Sequence, residues 1–152
     1  KKKEFYDHEE DIGLKICGEG FFVTKKIKPY VLYEPQNKKY YGFGEALIGV
    51  KLEKQNKKIS WKDPVVINPY IHPALPSKER KPCQKICNGK FEYSKAVKGR
   101  SIEEALRIIL AEAKRMILNG YFGEKGAWHC LTETQFQSLE VTKFNPKEVA
   151  NQ

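Results

Sequence analysis

From Leu14 onward the chain is built of short apolar, β-branched and aromatic runs separated by turn residues. Phe21, Val23 and Ile27 are followed by Tyr30-Val31-Leu32-Tyr33, with Pro29 between them and Glu34-Pro35-Gln36-Asn37 after them. Tyr40-Tyr41 passes through Gly42 and Gly44 into Ala46–Leu52. Ile59-Ser60-Trp61 comes after Gln55-Asn56-Lys57-Lys58, and Pro64–Ile67 makes the last run. Segments of this composition, broken by turn clusters about every 8–12 residues, predict an antiparallel β-meander of roughly four strands. Gly42 and Gly44 predict a bend or a bulge. Residues 1–13 are polar and charged and predict an arm or a short helix, leaving 14–152 as a single domain.

A different texture follows. Residues 68–100 carry Pro69, Pro73, Pro76 and Pro82 among polar residues. They predict a long, stiff loop with little regular structure before Glu92. Then Ile102, Ala105, Leu106, Ile109, Ala113, Met116 and Ile117 recur at three and four residues, drawing one apolar stripe along a helix over 101–119. Ser101 and Glu104 form a capping-box signature at its start, and Asn119-Gly120 is a stop signal. A stripe of this length must cover an apolar surface, and the inner face of the meander is the one large enough. The fold class is therefore α+β. The tail is mixed in character, with a second short helix predicted near Pro146–Asn151.

Composition narrows the function classes. A chain of 152 residues with 40% apolar content can fill a core as one domain. The balance of 28 Lys+Arg against 19 Asp+Glu gives +9, which suits an acidic partner or nucleic acid. Lys25, Lys26, Lys28, Lys38 and Lys39 interleave with Tyr30, Tyr33, Tyr40 and Tyr41, a composition that could stack bases in a basic groove. Scattered lysines around half-buried strand tyrosines are also ordinary surface. No run of 18 apolar residues offers a membrane span, and Lys1-Lys2-Lys3-Glu4-Phe5-Tyr6-Asp7 lacks the apolar core of a secretory signal. Cys17, Cys83, Cys87 and Cys130 then read as reduced thiols of a cytoplasmic protein, with structural, metal-binding or catalytic uses. Neither glycine-rich phosphate-loop pattern is present.

The stretch Asp63–Gly89 concentrates the candidate chemistry. Pro64-Val65-Val66-Ile67-Asn68-Pro69-Tyr70-Ile71-His72-Pro73 runs from a strand into a His-Pro turn, and Lys85-Ile86-Cys87-Asn88-Gly89 sets a cysteine at the end of the following loop. A meander, a His-Pro turn, a loop cysteine and then a helix, in that order, resemble the ubiquitin-conjugating enzymes, in particular their divergent prokaryotic relatives. The resemblance implies that Cys87 carries a ubiquitin-like protein as a thioester, receives it from an activating enzyme and passes it to an amine. No cofactor is implied. A loop cysteine among Lys78, Arg80, Lys81, Lys85 and Lys90 lies in a setting that favours the thiolate. Aminolysis of a thioester passes through an oxyanion that needs a donor. The family usually has Asn after His-Pro for that purpose. Here the position is Ala74, Asn88 is the candidate substitute, and Ser77–Pro82 lengthens the loop. His72, Cys87 and Asn88 make up the candidate catalytic set. Relatives that keep the fold as binding modules without the chemistry fit the same residues.

Other readings use the same side chains. A turn histidine is more often a local hydrogen-bonding group than a reactant, and Cys87 could be a small buried apolar residue. Cys83 and Cys87, with His129 and Cys130, would supply four zinc ligands, although adjacent His-Cys chelates awkwardly. A hydrolase pairing of Cys87 with His129 lacks an evident orienting group.

Overall fold

A computed structural model describes residues 12–18, 20–87, 91–120 and 131–152. The fold is α+β, with antiparallel sheets and one long helix. Among the described residues there are nine strands in two sheets, in place of a single meander of about four. Six strands form the larger sheet: β1 (Ile12–Cys17), β2 (Gly20–Ile27), β5 (Ala46–Gln55), β6 (Lys58–Trp61), β7 (Val65–Val66) and β8 (Gln84–Lys85). β3 (Tyr30–Glu34), β4 (Lys39–Phe43) and β9 (Glu140–Val141) form the smaller one. β1 takes up Ile12 and Gly13, so the strand starts before the boundary expected at residue 14, and residues 1–11 of the expected arm lie outside the described residues.

The two sheets come from one long hairpin that bends. Ile27 faces Ala46, and three residues further on Tyr30 faces Phe43, so β2–β5 and β3–β4 share an unbroken register. Pro29 lacks the N–H that a ladder rung requires. The strand pair turns out of the first sheet at Lys28-Pro29 opposite Gly44-Glu45. The glycine signal therefore marks a bend without the extra residue of a bulge. At the far end of the hairpin Glu34 is buried, and its carboxylate accepts from the backbone amides of Gln36 at 2.9 Å and Asn37 at 2.6 Å. The β5–β6 turn places Asn56 and Lys57 at φ 49° and 66°, the left-handed pair of a two-residue hairpin loop.

After α1 (Tyr93–Ala96) comes α2 (Ile102–Asn119), which packs over β2, β3 and β5. Its buried face is Ala105, Ile109, Leu110, Ala113, Met116 and Ile117 against Val23, Ile27, Leu32, Ile48 and Val50. Complete burial of each large aliphatic chain is worth about 1.5–3 kcal/mol, which anchors the helix far more strongly than its caps do. Leu110 joins the predicted stripe, while Ile102 stays 39% exposed at the helix start. The Ser101 hydroxyl accepts from the Glu104 amide at 3.2 Å. The Glu104 carboxylate accepts from Arg100 at 3.4 Å, so Ser101 caps the helix while Glu104 serves an ion pair. Gly120 ends α2 in the left-handed conformation with φ 79°.

The tail holds a helix missed by apolar periodicity, α3 (Glu133–Leu139), with a complete capping box between Thr132 and Gln135. The short helix expected near Pro146–Asn151 is a single 3-10 turn, Pro146–Glu148. Asn151 then docks on β3, its amide accepting from Tyr33 N at 2.8 Å and donating to Tyr33 O at 2.9 Å.

Candidate site at the His-Pro turn and the loop cysteine

The loop between β7 and β8 returns on itself. β7 and β8 pair antiparallel, Val65 with Lys85 and Val66 with Gln84, and an isolated bridge joins Tyr70 to Lys81. Ser77–Arg80 thus lie in an excursion at the far end of a closed loop. Four side chains hold its shape. Asn68 extends the β5 edge, accepting from Leu47 N at 2.9 Å and donating to Glu45 O at 3.0 Å. The Tyr70 hydroxyl donates to Gly44 O at 2.6 Å and lies 3.1 Å from the Tyr30 hydroxyl. Burial pushes the Tyr70 hydroxyl up to about 12 and Tyr30 well above its usual value. Buried Gln84 donates to Tyr70 O at 2.8 Å and Lys81 O at 3.2 Å while accepting from Ser77 N at 3.1 Å.

His72 is the fourth and the deepest. It is fully buried, with its ring among Tyr30, Phe43 and Tyr70. Nδ1 accepts from Ala74 N at 2.9 Å, and Nε2 lies 2.9 Å from Ile117 O near the end of α2. A backbone amide can only donate and a carbonyl can only accept, so these partners fix the neutral tautomer with hydrogen on Nε2. Burial lowers its pKa to about 3, against the opposing effect of the Ile117 carbonyl. Neither nitrogen is left for a substrate. Within the candidate catalytic set, then, His72 is a positioning residue that pins the turn to the helix.

Cys87 has the opposite surroundings. Ile86, before it, is buried, with its amide donating to Pro64 O at 3.3 Å. Cys87 is exposed as a free thiol, so the reading of a buried apolar cysteine does not hold. Its amide donates to Ala74 O at 2.8 Å. The sequence-distant cysteine is thereby seated on the residue that follows His72-Pro73. Ala74 itself is completely buried and carries no side-chain donor. Asn88 lies outside the described residues, as does Lys90. Of the nearby cations, Lys85 pairs with Asp63 at 3.3 Å and Lys81 with Glu79 at 3.7 Å, all on exposed or half-exposed side chains. Further along the chain Tyr93 is buried, its hydroxyl has no hydrogen-bond partner among the described residues, and burial pushes that hydroxyl up to about 12.

The remaining candidates distribute as follows. Cys83 and Cys87 flank β8, and Cys83 takes a left-handed φ of 53° with its amide donating to Ile67 O at 3.1 Å. His129 and Cys130, the other half of the zinc set and the partner in the hydrolase pairing, lie outside the described residues. Among the described residues no three His, Cys, Asp or Glu side chains gather as a metal site would require. The aromatic side chains of the basic-groove reading are largely engaged in packing. Tyr30 and Tyr41 are buried, while Tyr33 packs at a tilt against Tyr40, ring centroids 4.9 Å apart, and Tyr40 likewise against Phe144 at 4.5 Å. Lys26 and Lys39 pair with Glu45 and Glu140. No described helix is long and apolar enough to cross a membrane.

Sequence reasoning did not find Asn68 or Gln84. Their partners are backbone groups far along the chain, and nothing in the local pattern separates them from surface amides. Comparison with protein-family models, with curated proteins and with solved structures returns no match to this chain.

Proposed function

We propose that this protein is a ubiquitin-conjugating-like carrier that holds a ubiquitin-like modifier on Cys87 as a thioester and passes it to an amine. The observation that carries this reading is the 2.8 Å hydrogen bond from Cys87 N to Ala74 O, which seats an exposed thiol on the His-Pro turn despite the lengthened loop. In loading, the thiolate sulfur attacks the modifier's activated C-terminal carbonyl on the activating enzyme, forming the C–S bond as the leaving group departs. In transfer, the amine nitrogen attacks the same carbonyl, the C–S bond breaks, the thiolate leaves and the amine loses a proton. The fixed Ala74–Cys87 backbone supplies position, and Asn88 is the candidate donor to the oxyanion.

A second reading is favoured by Ala74. With no donor side chain after His72-Pro73, the same fold would serve as a non-catalytic module that binds a partner protein, or nucleic acid through its basic surface. The two separate in one experiment, in which the protein is incubated with a candidate activating enzyme, a ubiquitin-like protein and ATP. A carrier gives an adduct that thiol reductant removes. Cys87→Ser changes it to a reductant-stable, hydroxide-labile ester, and Cys87→Ala abolishes it. An adduct unchanged in Cys87→Ala defeats the assignment. Nucleic-acid affinity that falls steeply with salt would support the second reading.

A further inference from the structure

β1 stands at one end of the larger sheet, paired with β2 on one side and, among the described residues, with no strand on the other. An edge of this kind presents a row of backbone donors and acceptors, and edge strands are commonly protected by charge, brevity or cover. Among the described residues, one face of β1 carries no charged side chain of its own and is only partly covered. Leu14 faces Val23 across the ladder, and side chains alternate, so Ile12, Leu14 and Ile16 share the face that carries α2. There Ile12 and Val23 line a groove with Glu103, Leu106, Arg107 and Leu110 of the helix. Leu14 is 70% exposed and Ile16 80% exposed, the two most open large apolar side chains among those described. Lys15, the one charge in β1, lies on the opposite face.

We infer that β1 pairs with β1 of a second copy of this chain, antiparallel about a twofold axis, so that two sheets become one. The strand's own pattern selects this occupant. A twofold axis normal to the sheet keeps like faces together, so the crossing must centre on a residue. Centred on Lys15, two lysines oppose each other directly, which is unfavourable. Centred on Gly13, the crossing leaves Ile16 beyond the paired strand, and centred on Ile16 it leaves both Ile12 and Leu14 beyond it. Centred on Leu14, Leu14 meets Leu14 of the second copy, each Ile12 meets Ile16, and Gly13 meets Lys15 without a like-charge contact. This register also brings the most exposed side chain, Ile16 of the second copy, opposite Ile12 beside the helix groove.

The test is sedimentation of the whole protein across a concentration series with reductant present to exclude disulfides. The mass is expected to rise from 17.6 kDa toward twice that value as concentration increases. Leu14→Lys and Leu14→Glu, at a solvent-facing position, should each keep the native circular dichroism and stay monomeric. Mixing them in equal amounts should restore the dimer, because residue 14 faces itself in this register. Lys15→Gln should dimerise as the native chain does. A native chain that stays monomeric throughout, or a dimer indifferent to Leu14→Lys, would overturn the inference. So would a mixture that fails to reassociate. A monomeric native chain whose β1 amides become protected only when a strand of a different protein is added would assign the edge to that partner instead.

Discussion

The turn that begins at His72 and the segment that ends at Cys87 are joined by one backbone hydrogen bond, from Cys87 N to Ala74 O, and yet their environments are opposite. The turn is solid core. His72 is closed in by three aromatic rings, with both its nitrogens bonded to backbone at 2.9 Å. The cysteine lies on the surface, and only its backbone is held. A His-Pro dipeptide and a loop cysteine invite a joint catalytic reading, but the geometry divides the labour. One residue builds a rigid platform from buried groups. The other is the accessible atom mounted on it, and such division is what a site needs if its reactive group must be both exposed and fixed.

The largest break in that contrast is expected at the buried end. His72→Ala removes the ring from its aromatic cage and leaves Ala74 N and Ile117 O without their partner, at a cost of about 3–5 kcal/mol in denaturant unfolding. The same residue sets a pH dependence. Its folded pKa of about 3 lies below the usual 6.5, so the unfolded chain binds the proton more tightly. The stability that depends on neutral His72 is therefore complete above about pH 6.5. It falls by about 1.4 kcal/mol per pH unit toward pH 3, to a loss on the order of 4 kcal/mol. Unfolding titrations of the native chain should show this slope, and those of His72→Ala should lack that component of it.

A smaller effect belongs to the loop between the two ends. Gln84→Ala strips hydrogen bonds from Tyr70 O, Lys81 O and Ser77 N and should cost about 1–3 kcal/mol, with faster amide exchange across Ser77–Cys83. If exchange there were unchanged, the excursion would be held by something other than Gln84. The smallest stability effect is expected at the exposed end. Cys87→Ser should change stability by less than about 0.5 kcal/mol while altering any adduct chemistry entirely. A large loss at Cys87 would show that the thiol supports the fold and would erase the contrast.

The sequence made some of this legible. The runs Phe21–Ile27, Tyr30–Tyr33, Ala46–Leu52 and Ile59–Trp61 are strands, and the stripe from Ala105 to Ile117 is the buried face of α2. What it hid were decisions made by distant contacts. β8 is two polar residues, Gln84 and Lys85, that become a strand only because β7 lies beside them, and β9 is defined by β4. α3 buries no residue completely, so apolar periodicity had little to display, although its Thr132–Gln135 capping box was present to be read. At the site, the proximity of Ala74 to Cys87 depended on a closed loop whose clasps, Asn68 and Gln84, have no local signature. Asn88, His129 and Cys130 fall outside the described residues, and the roles assigned to them rest on sequence alone.

The unbroken register through the bend at Pro29 has a consequence for how the chain reaches this structure. Because Glu34 faces Lys39 at one end of the ladder and Phe21 faces Leu52 far along it, a single tight turn can align both sheets. A hairpin seeded there can zip outward rung by rung, paying loop-closure entropy for only a few residues at the start. No second search is then needed to match the halves on either side of the proline. The clasp of the Glu34 carboxylate on Gln36 and Asn37 thus stands at the turn from which the β3–β4 and β2–β5 pairs can both be aligned. The bend costs rungs without costing alignment.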